Sequence, residues 1–415
     1  MRRCGGIRLW SVIAALVGAS VAARADVASD KAAAILVFPK LLTDTSNAPP
    51  GPRGQIDTLI RVSNTSAQPI SMHCFYVDAT PQCPSVAALR TCLASPLDCV
   101  ANGCTSQCQE IDFYVNITAL QPIAWLLSQG SSECSLTSPE DVPCLPLTGD
   151  NPRSDGESNR GSRIPPVPKD PFIGELKCIA VDANGMPVER NDLKGEVEIT
   201  RVQGNVADVE GYNAIGIPAI PGANQGNSDT LVLGGNVCNA GTNAGNVCSS
   251  AADCPSGNCV SAGEYVGCPN ILVLDHFFDG ANDPVTGQEV TTDLTLVPCS
   301  EDFLTQIPVA TVVQFQVFNE FEQRYSTSRT VTCFAEWPIW TIGGSQTMRL
   351  SIFSAAVMGT LTGQTRIRGV AIEDPTFGHT LLGVAEEFRE GGGSAAFNLH
   401  FSGSRPQSDY LYYLP

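Results

Sequence analysis

The 415-residue chain sets 42 acidic against 24 basic residues, for a net charge of −18, and contains 17 cysteines with 43% hydrophobic residues. Such a surface repels phosphate backbones and anionic headgroups, so nucleic acid is excluded as the natural partner. Beyond the N-terminal segment no stretch approaches the ~18 apolar residues of a membrane helix, so no membrane span is expected.

The N-terminus places Arg2, Arg3 and Arg8 ahead of an apolar run from Leu9 to Ala23, followed by Ala23-Arg24-Ala25. This reads as a signal peptide, residues 1–25, cleaved after Ala25. Its removal takes away four arginines and no acid, moving the net charge from −18 to −22. Cys4 leaves with it, and because it lies before the apolar run it offers no lipid-anchor site. Sixteen cysteines remain, an even number that in an exported chain reads as a disulfide framework. The expected location is periplasm, outer surface or extracellular medium.

A mature chain of this length exceeds what one core usually serves. We expect an all-β protein of two antiparallel β-sandwich domains, Ig-like or jelly-roll-like, with disulfide-stapled Cys-rich insertions. The first spans 26–211, with a Cys-rich excursion at 83–144 and an exposed loop at 145–171; a linker spans 212–263 and the second domain 264–415. Period-2 alternation supports strands: Val313, Phe315 and Val317 oppose Gln314 and Gln316, while Phe397, Leu399 and Phe401 oppose Asn398 and His400.

The halves echo each other. ILVFPKL (35–41), DTLIRVSNTS (57–66), ISMHCFYVD (70–78), DFYVNITALQP (112–122), GELKCIAVD (174–182) and KGEVEIT (194–200) find counterparts in the same order in the second half. These are ILVLDHF (271–277), TVVQFQVFNEF (311–321), RTVTCFAEW (329–337), FSAAVMGTLTGQ (353–364), GHTLLGVAEEF (378–388) and SAAFNLHFSG (394–403). An internal duplication is the expected origin.

The excursion holds Cys83, Cys92, Cys99, Cys104 and Cys108, with Cys134 and Cys144 following. The odd count of the first five sends at least one bridge outside. Cys74 with Cys178, and Cys299 with Cys333, are expected as intra-domain bridges, leaving Cys268 for the first-domain excess.

The linker contains CNAGTNAGNVCSSAADCPSGNC, with Cys238, Cys248, Cys254 and Cys259 spaced C-x9-C-x5-C-x4-C. Zinc sites and redox pairs favour closer spacing, and no Cys-x-x-Cys occurs in the chain. Two local disulfides, standing in for a missing core, fit better. With Gly241, Gly245, Asp253, Pro255 and Gly257, the stretch resembles a Cys-rich module of secreted bacterial proteins of the myxobacterial type. The resemblance implies an exported bacterial surface protein and no chemistry.

No H-E-x-x-H, G-x-S-x-G, P-loop or dinucleotide fingerprint is present. His276 reads as a strand-end residue, and the pairs Glu196/Glu198 and Glu320/Glu322 as solvated strand faces. No cofactor is expected beyond Ca²⁺, for which the turn carrying Asp279, Asn282, Asp283 and Asp293 offers hard oxygen ligands without EF-hand spacing. A second such turn offers Asp182, Asn184 and Asp192. Trp337 and Trp340 suit either core packing or stacking on a sugar. The reading is a non-catalytic exported β protein, a surface or envelope component or adhesion-type binder of an extracellular protein or glycan. The alternative is a carbohydrate-binding or carbohydrate-active protein, Ca²⁺-dependent.

Overall fold

The computed structural model describes residues 28–45, 55–94, 98–130, 164–182, 185–204, 206–220, 230–234, 236–238, 241–243, 247–248, 250–261, 263–303, 306–345, 347–370, 377–401 and 409–413. The expected signal peptide, Cys134, Cys144, Asn184 and residues 145–163 lie outside them. No described helix is long and apolar enough to cross a membrane.

The first half contributes β1 (Ile35–Thr43), β2 (Gln55–Asn64), β3 (Ile70–Asp78), β4 (Gln109–Ile117), β5 (Pro122–Leu126), β6 (Phe172–Val181), β7 (Leu193–Gln203), β8 (Val206–Asn213) and β9 (Ile215–Ile217). The linker contributes β10 (Thr230–Gly234), β11 (Asn236–Cys238), β12 (Val247–Cys248), β13 (Cys259–Ser261) and β14 (Glu264–Val266). In the second half lie β15 (Ile271–Phe277), β16 (Ala281–Asn282), β17 (Glu289–Pro298), β18 (Glu301–Asp302), β19 (Ala310–Asn319), β20 (Arg324–Thr332) and β21 (Ala335–Pro338). They are followed by β22 (Thr362–Val370), β23 (Phe377–Gly378), β24 (Leu381–Arg389), β25 (Ser394–Asn398), β26 (His400–Phe401) and β27 (Asp409–Tyr413). The chain is all-β, and its large sheets are antiparallel, as the alternating sequence requires.

The first half forms sheet A, in the order β4-β3-β6-β1-β9, and sheet B, in the order β5-β2-β7-β8. The second forms sheet A′, β20-β19-β22-β15-β26, and sheet B′, β16-β17-β24-β25 with β21 beside β17. With β21 in the place of β5, the order in A and B is repeated in A′ and B′, to which β16 and β23 are additions. The first expected pair, β1 with β15, stands. Four of the others are offset by one strand, with β3 in the place of β19, not β20, and β6 in that of β22, not β24; β4 takes the place of β20, whereas its expected counterpart, 353–364, holds a short helix and the start of β22.

Sheets A and B share one buried cluster, seen in Leu36 and Phe38 of β1 against Ile60 and Val197 of β2 and β7. Trp125 on β5 is buried there and donates its indole N–H to the Tyr76 hydroxyl at 2.8 Å. A second cluster joins A′ to B′, with Leu272, Phe315 and Ile367 against Leu294 and Ala385. The other face of B′, carrying Val297, Leu382 and Val384, belongs to the first cluster. Sheet B′ therefore covers the outer face of A, and β1 and β6 are buried at every residue. Coverage on both sides explains their nearly unbroken apolar runs.

Several boundaries move. β8 and β9, residues 206–217, complete the first half's sheets, so the linker begins beyond Ile217. Among the described residues of the expected 83–144 excursion, β4 and β5 are sheet strands, and the segment around the helix Val86–Ala94 stands apart. The end of the expected 145–171 loop is not exposed: Ile164 and Val167 are buried in the first cluster, because the backbone there pairs with Leu127. The C-terminal strand β27 lies between β10 and β18, parallel to both.

Every described cysteine is bridged. Cys238–Cys254 and Cys248–Cys259 staple the linker module, as expected of it. Gly241 of that module has φ 86°, and a Cβ there would fall 1.9 Å from the Pro255 carbonyl oxygen. Cys83–Cys104 and Cys92–Cys99 close the excursion, and Cys74–Cys178 joins β3 to β6. Two expectations are corrected. Cys268 pairs with Cys299, and it is Cys333 that takes the excess cysteine, Cys108. Parity showed that a bridge leaves the excursion; its partner depended on B′ docking against A.

Candidate functional site at the junction of the halves

The junction begins with two lysines inside apolar strands. β1 reads ILVFPKLLT, and between Phe38 and Leu41 its pairing with β6 shifts register. The Tyr212 hydroxyl holds this irregularity by accepting from Lys40 N at 3.0 Å and donating to the Lys40 carbonyl. The Lys40 side chain is thereby sent into B′, where its ammonium lies 2.6 Å from Glu386 and 2.8 Å from Glu336. Arg201 of β7 lies 3.1 Å from Glu386 and also pairs with Glu210.

Burial works against the Lys40 ammonium, but Glu336, Glu386 and Asp293 more than offset it and hold its pKa above the ordinary value. The carboxylates of Asp293, Glu336 and Glu386 lie within 4.8 Å of one another, close enough to share a cation. The lysine supplies that charge from within the chain. A buried ammonium so paired is a structural clamp, costly to break from one side.

The second lysine, Lys177 on β6, pairs with Glu175 at 2.9 Å and with Glu301 from the second half. Burial pushes Glu175 up to about 8 against the pull of Lys177, and Glu301 adds to the rise. Glu175 is therefore held toward its neutral form at neutral pH. Phe75 stacks on Phe303 beside it, with centroids 3.9 Å apart.

Alongside the junction, β7 and β8 face the β25–β26 segment across an open groove of about 740 Å³, within the ~300–1,000 Å³ range of ligand clefts. Arg61, Glu196 and Glu198 line one side, Phe397, Asn398 and His400 the other. The Glu196/Glu198 pair does share a strand face, held by Arg61 at 3.3 and 2.7 Å. Glu320 and Glu322 do not: both follow β19 in a turn, where Glu320 accepts from Thr362 N and Oγ1.

The expected calcium ligands are dispersed. Asp279 is buried and accepts from Thr292 N at 2.9 Å and Trp340 N at 3.3 Å. Asp283 closes its own turn through Val285 N and Thr286 N and pairs with Arg389 at 2.9 Å, while Asn282 is exposed. Asp293 lies on the inner face of β17 with the Lys40 group. Among the described residues, Asp279 and Asp283 join no cluster of three ligand groups within 4.8 Å, whereas Asp293 does so with Glu336 and Glu386. The turn near Asp182 is likewise internally bonded, through Met186 N.

Trp337 and Trp340 are half-buried, and Trp337 lies edge to face with Phe315, ring centroids 6.4 Å apart. His276 is buried between Thr365 Oγ1 at 2.9 Å and the Phe277 carbonyl at 2.7 Å, and burial lowers its pKa to about 4. It is a neutral packing group.

Sequence reasoning missed Lys40, Lys177, Arg201, Glu301, Glu336 and Glu386. The available signal was a lysine interrupting each of two continuous apolar runs, ILVFPKLLT and FIGELKCIAV.

No protein-family model and no curated protein matches the chain. Among solved structures, it was compared with the viral chemokine binding protein R17 encoded by rodent gammaherpesvirus Peru, at 8% identity over 87% of this chain and 84% of that one. The TM-score is 0.12, too low to carry any argument about fold or function.

Proposed function

We propose that the chain is an exported, non-catalytic protein that serves as a disulfide-clamped structural or binding component of a cell surface or envelope. The observation that supports this reading is the junction. Its buried ionisable groups are committed to holding the halves together, and the Cys108–Cys333 bridge locks the same contact covalently. Rigid, oxidised and strongly acidic, such a body suits an oxidising compartment outside the cytosol. An extracellular protein or glycan is the partner this reading allows.

The test is expression of the full chain in a bacterial host, with fractionation, N-terminal sequencing and mass measurement with and without reductant. Export with a new N-terminus at Asp26, and a mass that rises on reduction by two hydrogens per bridge, supports the reading. Retention in the cytosol with free thiols would sink it.

A further inference from the structure

The internal junction has an unused counterpart on each end of the molecule. Within the chain, the outer face of A meets the outer face of B′. Sheet A′ repeats A and sheet B repeats B′, so the outer faces of A′ and B are the corresponding halves of a second junction.

The registers allow residues to be matched. Placing Ile35-Leu36-Val37-Phe38 on Ile271-Leu272-Val273-Leu274 aligns β6 with β22. Val37 pairs with Lys177 and Val273 with Arg366, so Arg366 takes the place of Lys177. Likewise Ile35 pairs with Ile179 and Ile271 with Arg368. For the other face, Trp125 opposite Ile60 matches Trp337 opposite Leu294. One residue earlier, Leu59 pairs with Glu198 and Asp293 with Glu386. Glu198 therefore stands where Glu386 stands.

The charges follow the same sense. In the internal junction Lys40 of A meets Glu336 and Glu386 of B′, while Lys177 of A meets Glu175 on its own strand and Glu301 on β18. On A′, Arg366 and Arg368 are exposed in a face that also carries Arg324, Gln314 and Gln316, with Asp275 as its acid. On B, one arginine, Arg61, is shared between Glu196 and Glu198, whose side chains are 53% and 34% exposed; Lys194 lies beside them.

We propose that the A′ face of one copy of this chain docks on the B face of a second copy, with Arg366 and Arg368 meeting Glu198 and Glu196. The partner is a second copy because its B face is related to B′ as A′ is to A. Such a contact uses two different patches, so it is heterologous and each added copy offers a fresh face: copies add head to tail, into a row or, where the rotation closes, a ring. The faces are polar and the joint is ionic, so it weakens as salt rises. The inference goes beyond the proposed function and does not depend on where the chain resides.

Sedimentation velocity of the intact mature protein at low ionic strength tests it, with Glu198→Arg, Arg366→Glu and the double variant. The wild type is expected to form two-copy, three-copy and longer species as concentration rises. Each single reversal weakens association at least about ten-fold, the equivalent of one lost ion pair, and the double variant regains it. A wild type that stays single at every accessible concentration overturns the proposal. So does a species that stops at two copies, or association that both single reversals leave unchanged.

Discussion

Lys40 and Glu386 come from opposite halves of the chain, 346 residues apart, and meet at 2.6 Å with neither side chain exposed to solvent. Removing one partner strands the other in the interior. Lys40→Met is expected to destabilise the protein by about 3–5 kcal/mol, read by urea denaturation without reductant. Lys40→Met combined with Glu386→Leu should lose less than the sum of the two single changes, though Glu336 is left without its lysine and Arg201 with Glu210 alone. Additive losses in the double variant would show that the two residues are not coupled.

The Cys108–Cys333 bridge closes the longest loop among the described disulfides, 225 residues. Replacing both cysteines by serine is expected to cost about 2–5 kcal/mol. Limited proteolysis should then cut at the linker sooner than in the parent, since the halves part more readily. Unchanged digestion would place all the cohesion in the noncovalent contact.

Glu175 gives the junction a pH dependence of definite sign. Its folded pKa is about 8 against an ordinary 4.5, so the folded protein keeps a proton that the unfolded chain has lost. The associated stability is complete below pH 4.5 and is lost as pH rises through 8. Glu175→Gln keeps the neutral form permanently. Its stability advantage over the wild type should grow across that interval, to a value on the order of a few kcal/mol; a constant difference would contradict a protonated Glu175.

His276 acts in the opposite direction. Its pKa falls from 6.5 to about 4 on folding, so its contribution is present above pH 6.5 and is lost as pH falls through 4. The loss amounts to about 3 kcal/mol at ~1.4 kcal/mol per unit. His276→Gln, which cannot take up the proton, should flatten the acid limb of the stability profile, and nuclear magnetic resonance titration of the imidazole would read the pKa directly.

Much of the architecture was legible because its physical cause is local. The alternation of Val313, Phe315 and Val317 with glutamines is that of a strand with one dry face, and β19 has that burial pattern. The four-cysteine module announced short bridges by its spacing and its lack of apolar residues. β17 was missed, and with it the echo slipped by one strand. EVTTDLTLVP is buried on both faces, and the face toward A carries Asp293 and Thr295 in place of apolar residues, so no simple alternation marks it. Lys40 and Lys177 were invisible for a related reason: lysine is read as a surface residue, and only a partner from the other half makes its burial tolerable.

The order of the cysteines along the chain sets a timetable for maturation. A chain emerging N-terminus first can close Cys92–Cys99 and the two linker bridges at once, since each spans 16 residues or fewer. Cys108 must wait for Cys333, and meanwhile its thiol neighbours Cys104, whose own partner is Cys83. Correct pairing therefore relies on thiol–disulfide exchange to undo early mistakes. The bond that finally forms there is a chemical record that B′ has found the outer face of A.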